Sequence, residues 1–199
     1  MEILIDRGQF SASNDWAMIR NEIENAIKSM EWPPGSSKFI LYDESGKGRG
    51  KGSGVKPIKD MFVAKLRQQD KGWRSEVKLE IPAHVSPGPI DVMRRVNSKN
   101  FAVEWETGNI SSSHRAMNKL AMGLLKGVLI GGILIMPTRK MYNYLTDRVG
   151  NFEELFPYFH MWKSLSVDEG LLAVMAVEHD AVSRDVPRFP KGTNGRHLQ

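Results

Sequence analysis

The sequence predicts an α/β fold, a central mixed β-sheet flanked by helices on both sides. Three observations predict it. Residues 15–30 and 110–126 repeat their apolar positions with the 3.6-residue period of amphipathic helices. Three consecutive strand candidates, WRSEVKLEI (73–81), PIDVMRRV (89–96) and FAVEWE (101–106), read as an antiparallel set. Two nearly unbroken apolar runs, VLIGGILIMP (128–137) and LLAVMAV (171–177), read as buried strands. Helices and strands interleaved on either side of a meander need two helical layers around one sheet.

In chain order, DWAMIRNEIENAIKSM places Trp16, Ile19, Ile23 and Ile27 on one helical face, with Ser13 or Asn14 as cap, and WPP at 32–34 forbids continuation. KFILYDE (38–44) reads as a strand that runs into ESGKGRGKGSGVK (44–56), where five glycines alternate with basic residues; this predicts a mobile basic loop. It is no phosphate-binding P-loop, because Gly50-Lys51 is followed by Gly52 and no glycine stands five residues before Gly50. Pro57 begins a helix through about Gln69 with Ile58, Phe62 and Leu66 inward and Lys59 near its start. NSKN makes the short turn before FAVEWE. After Asn109 a helix capped near Ser111 turns Met117, Leu120, Ala121, Leu124 and Leu125 to one side. Helical patterns at 138–146 and 152–163 separate the two buried strands. From Arg184 the apolar pattern ends and proline, glycine and basic residues take over, which predicts a single domain over 1–183 and a basic C-terminal arm over 184–199.

The 199 residues suit one domain with a sizeable core, and 41% hydrophobic against 26% charged is an ordinary globular balance. Cysteine is absent, which excludes disulfides and thiolate metal sites and makes a reducing compartment the simpler expectation. MEILIDRGQF carries acids at positions 2 and 6 where a signal peptide has a basic start. The ten-residue apolar run at 128–137 falls well short of the roughly 20 residues that span a bilayer. No membrane association is expected, and the expected location is cytoplasmic. A net charge of +5 and a pI near 9.4 suit a polyanionic partner.

The chemistry concentrates in FAVEWETGNISSSHR (101–115). Residues two apart on a strand share a face, so Glu104 and Glu106 project together while Trp105 points away. Asp91 on the preceding strand and Glu76 on the one before bring four acids toward one patch. Two glutamates at this spacing more often form a solvated sheet face. Carboxylates this close otherwise raise one another's pKa, and a hard divalent cation relieves that repulsion. The basic loop nearby and the small residues and donors of ETGNISSSHR at a helix N-terminus suit phosphate.

PID at 89–91 followed by EWE at 104–106 resembles the metal-binding core of type II restriction endonucleases of the PD-(D/E)xK class. ETGNISSSHRAMNKL (106–120) and YLTDRVGNFEELFPYF (144–159) look like the corresponding runs of BamHI-like members, and the resemblance extends from about Trp32 to Gly195. It implies a restriction-endonuclease-like fold and Mg²⁺-dependent hydrolysis of duplex DNA at GGATCC, cut after the first G. Asp91 and Glu104 would hold a first Mg²⁺ and Glu76 would help a second, giving two ions per active site. Glu106 stands where the wider class has lysine, and is the candidate general base; BamHI shares that substitution. The resemblance carries base readout onto Asn109, Ser111, Arg115, Asp147 and Arg148, a phosphate contact onto Lys59, and a minor-groove arm onto Asn194 and Gly195. These residue types suit the roles, since Arg forks onto guanine, Asp accepts from cytosine and Asn pairs with adenine. A palindromic target implies a homodimer, in a bacterial cytoplasm, with the helices near 111–126 and 152–163 at its interface, though their apolar faces serve a core equally well. His114, beside Arg115 and without a partner motif, reads as structural or as a backbone contact.

Two rivals share parts of this pattern: a DNA-binding protein of the same fold without cleavage, and a glycosidase working through paired carboxylates. The first has no use for four clustered acids. The second leaves the basic loop and tail unexplained.

Overall fold

The alternation along FAVEW sorts the two faces of the sheet. Phe101, Val103 and Trp105 pack into one apolar cluster, Ala102 into the other, and Glu104 lies on the same side as Ala102. The computed structural model describes residues 1–48, 50–79, 87–146 and 148–191. Its main sheet has six strands: β1 (Glu2–Arg7), β3 (Trp73–Lys78), β4 (Pro89–Val96), β5 (Lys99–Trp105), β6 (Leu129–Pro137) and β7 (Gly170–Val177), in the order β1-β7-β6-β5-β4-β3. The β5–β6 and β6–β7 pairs are parallel and the others antiparallel. This is the mixed sheet expected. The central position of β6 explains its composition, since all nine of its residues are buried.

α1 (Asn14–Lys28) and α2 (Lys56–Arg67) cover one face. Ser13 is the cap of α1, its hydroxyl accepting from the Trp16 N–H at 3.2 Å. Ile58, Phe62 and Leu66 of α2 are buried as expected, and the Phe62 ring lies 4.9 Å from that of Trp105. Truncating such a ring costs ~3–5 kcal/mol. The other face is covered by α3 (Ile110–Leu125), α5 (Phe152–Leu155) and α6 (Phe159–Lys163).

Several expectations change. The 152–163 pattern is not one helix: residues 156–158 form a tight 3-10 turn between α5 and α6, with Pro157 at its start. Of 138–146 only α4 (Arg139–Tyr142) is helical. Leu125 is 50% exposed rather than inward, and the cap of α3 is Asn109, whose side chain accepts from the Ser112 N–H, rather than Ser111. The 38–44 strand shortens to β2 (Ile40–Tyr42), which pairs in parallel with β8 (Ala181–Ser183) outside the main sheet.

The glycine-rich basic loop is pinned. Gly46 donates to the Asn143 carbonyl, Ser53 to that of Tyr144, and Thr146 to that of Ser53. A Cβ on Gly52 would stand 2.4 Å from the Leu145 carbonyl oxygen, so this glycine serves close backbone approach rather than mobility. Residues 184–191 are not a free arm either. Phe189 is 2% exposed and stacks on Trp32 at 4.2 Å, and Arg188 pairs with Glu44 at 2.7 Å. The remainder of the expected arm, with Asn194 and Gly195, lies outside the described residues.

Candidate active site

β4 and β5 pair from Val96 opposite Lys99 up to Val92 opposite Val103; the next pair in that register is Asp91 and Glu104, and there the ladder stops. The Asp91 side chain takes the place of the ladder, its Oδ2 accepting from the Trp105 backbone N–H at 2.9 Å. The Asp91 N–H is 3.4 Å from Glu104 Oε2. Ile90 and Val92, two apart on a strand, nonetheless pack into opposite clusters, so the strand twists out of simple alternation at Asp91. Across from it, between the paired Ser75 and Val77, Glu76 has a φ of +53°. That conformation costs a non-glycine residue ~1–2 kcal/mol. The irregular backbone thus falls where the acids gather.

Two ammonium groups enter this cluster from opposite faces of the sheet. Lys59, on α2, places Nζ 2.8 Å from Asp91 Oδ1 and 3.6 Å from Glu76 Oε1. Lys119, on α3, pairs with Glu104 Oε1 and donates to the Pro89 carbonyl at 2.7 Å. Burial opposes the Lys59 charge, but Asp91 and Glu76 outweigh it and hold the group above its ordinary pKa. Glu104 is raised to about 7, first by burial and then by Asp91, against the pull of Lys119. Burial also raises Glu106 to about 7, opposed by the Ser113 hydroxyl and the N–H groups of Gly108 and Thr107. The Gly108 N–H reaches Glu106 Oε1 at 2.6 Å, while Oε2 is buried without a hydrogen-bond partner.

The acids border a cleft of about 190 Å³ between the sheet end and the first turns of α3, lined also by Ser112 and Arg115. Asp91, Glu104 and Glu106 line this cleft together. Glu76 borders the same cleft but stands apart from that group, with its side chain 64% exposed and turned toward Lys59. Among the described residues no three acidic or histidine side chains converge into a ready metal cage. The donor chemistry nonetheless fits a hard cation, because Asp91 and Glu104 adjoin and Glu106 keeps a buried oxygen unsatisfied. Mg²⁺ characteristically uses one or two carboxylates and fills its remaining positions with water and phosphate oxygens.

The expected phosphate contact Lys59 is engaged with the acids instead, its side chain only 14% exposed. Asn109, Ser111 and Arg115 fall on the first two turns of α3, with Ser111 and Arg115 exposed one turn apart. Gly150 donates to the Gly108 carbonyl at 2.8 Å, which ties the loop carrying Arg148 to the approach of α3. Arg148 takes a φ of +73°, and Asp147 lies outside the described residues. His114 packs edge-on against Tyr158 at 4.6 Å, the structural role expected of it. Lys119 was missed. Its signal was a lysine one turn beyond Arg115 inside an otherwise apolar stripe, where a buried ammonium needs a carboxylate.

Comparison with known proteins places the chain in a family. The family model described as "Restriction endonuclease BamHI" matches residues 1–196. The type II restriction enzyme OkrAI of Oceanobacter kriegii is 48% identical over 199 residues, covering 100% of this chain and 97% of that protein. The type II restriction enzyme BamHI of Bacillus amyloliquefaciens is 37% identical over 181 residues, 88% of this chain and 80% of its own length. The structure of restriction endonuclease BglII complexed with a DNA 16-mer superposes with a TM-score of 0.62 at 13% identity, covering 90% of this chain and 79% of that one, a likeness of fold. The chain therefore belongs to the BamHI family of restriction endonucleases and is a type II site-specific deoxyribonuclease.

Proposed function

We propose that the chain works as a homodimer that hydrolyses duplex DNA at GGATCC in the presence of Mg²⁺, cutting after the first G to leave four-nucleotide 5′ ends. The observation that carries this reading is the Asp91–Glu104 pair with Glu106 beside it, under the N-terminus of the helix that bears Asn109, Ser111 and Arg115.

Asp91 and Glu104 are the residues that would hold the ion, and Glu76, on the border of the same cleft, would help to hold a second. The bound ion supplies Lewis-acid polarisation of the scissile phosphodiester. Glu106 takes the proton of the attacking water at Oε2; a carboxylate held near 7 is matched to proton transfer at neutral pH. Lys59, paired with Asp91 and Glu76 in this structure, is the ammonium placed to meet a backbone phosphate beside the acids. Asn109, Ser111, Arg115, Asp147 and Arg148 read base edges, and Asn194 and Gly195 follow the minor groove. The exposed Phe156, Met161 and Leu125, at 57%, 54% and 50%, support a dimer interface on the α3–α6 side.

The test is a plasmid carrying one GGATCC site, incubated with the protein in Mg²⁺ and in EDTA, followed by sequencing of the ends. Metal-dependent linearisation at that site supports the reading. Tight binding without any nicking identifies a binding protein of this fold, and discrete cutting elsewhere overturns the assigned specificity.

A further inference from the structure

We infer that Lys119 is a positioning residue that holds Glu104 for the divalent cation and fixes it to the DNA-reading helix. The inference rests on the metal site proposed above. Three contacts carry it. The Lys119 ammonium pairs with Glu104 Oε1 and donates to the Pro89 carbonyl at 2.7 Å, so one side chain ties α3 to the ends of both strands that present Asp91 and Glu104. With Oε1 held by Lys119, Oε2 is the oxygen turned toward Asp91, 3.4 Å from its N–H. The lysine side chain is only 10% exposed, so its reach is set by packing rather than by solvent.

Lys119 stands one helical turn from Arg115, and both line the cleft. Arg115 is exposed at the mouth while Lys119 is buried at the base. A small displacement of α3 as its first turns meet DNA therefore moves the anchor of Glu104. The wider PD-(D/E)xK motif places its lysine on the same strand as the acid; here the strand position is Glu106, and the ammonium beside the acids arrives from a helix. The role is to orient a ligand, not to touch the reacting phosphate.

The experiment is calorimetric titration of Ca²⁺ into the complex of the full chain with a GGATCC duplex, for wild type, Lys119→Met, Lys119→Arg and Glu104→Gln. Duplex affinity without metal is measured alongside as the folding control. The expected result is Ca²⁺ affinity weakened at least tenfold by Lys119→Met, recovered to within about threefold by Lys119→Arg, with duplex affinity changed less than threefold. Unchanged or tighter Ca²⁺ binding by Lys119→Met overturns the inference, since the lysine would then be no more than a competing cation. If Lys119→Met does not fold, Lys119→Arg decides: an affinity loss beyond tenfold there, with duplex binding intact, counts against a charge-based anchor. Ca²⁺ binding that Glu104→Gln leaves untouched instead overturns the metal-site reading itself, an outcome separate from the fate of Lys119.

Discussion

Asp91 and Glu104 face one another across the β4–β5 register at the first position where the two strands no longer pair, and each is met by a lysine from a different face of the sheet. The folded chain thus supplies its own cations to an acid pair that the sheet forces together. Burial, and for Glu104 also the neighbouring Asp91, nonetheless holds Glu104 and Glu106 near 7 against an ordinary 4.5. Between those values the folded state binds more protons than the unfolded one. The stability these groups lend is fully present below about 4.5 and is lost as pH rises through about 7. Each unit of separation is worth about 1.4 kcal/mol per group. The melting temperature of the metal-free protein, relative to a Glu104→Gln/Glu106→Gln double variant, should therefore fall between pH 5 and 8. Ca²⁺ should raise it more at pH 8 than at pH 5, since the cation binds the ionised acids. Parallel pH profiles for the two proteins would count against the raised carboxylates.

Asn109 caps α3 and is proposed to read a base, and substitution can separate the two. Its side chain caps α3 by accepting from the Ser112 N–H at 3.2 Å. Asn109→Ala should lose about 1 kcal/mol of stability in urea unfolding and also lose affinity for GGATCC. Asn109→Asp should keep the cap and lose only the affinity. Equal duplex affinity in all three proteins would remove Asn109 from base readout.

Arg148 is held in a left-handed conformation on a loop tied to the start of α3. Arg148→Ala should reduce the ratio of cleavage at GGATCC to cleavage at sites with one guanine changed by about 1–3 kcal/mol per altered contact. A general fall in affinity with the ratio preserved would mark it as a phosphate contact.

Phe189 tests the packing of the segment after Arg184. It lies between Trp32 and Phe39 with 2% exposure, so Phe189→Ala should cost ~3–5 kcal/mol in denaturant unfolding. A loss below about 1 kcal/mol, the size expected of a surface change, would return it to an arm.

The strands were legible wherever burial imposed a period. PIDVMRRV matches β4 to the residue and FAVEWE matches β5 to within two, because both carry apolar side chains to a sheet covered on both faces, and along FAVEW each face takes one parity. The assignment of Glu104 and Glu106 to one face followed from the same parity. β1 and β8 were not legible: β1 alternates irregularly around Ile3 and Ile5, where its register with β7 shifts, and β8 has three residues. Glycine misled at Gly46 and Gly52, where composition reads as mobility but the physical requirement is room for the Leu145 backbone. Charge misled at Lys59 and Lys119, which sequence treats as surface residues. Their partners come from strands that only the folded sheet brings alongside. Glu76 takes a positive φ angle within its strand, a quantity that strand periodicity does not encode.

Phosphodiester hydrolysis is proposed to be carried out by the acids at the ends of β4 and β5. The most direct measurement compares wild type and Glu104→Ala for binding of a GGATCC duplex in Ca²⁺-free buffer and for single-turnover cleavage of the same duplex in Mg²⁺. The account predicts binding within a few-fold of wild type and no detectable cleavage. Cleavage by Glu104→Ala at the wild-type rate would contradict it.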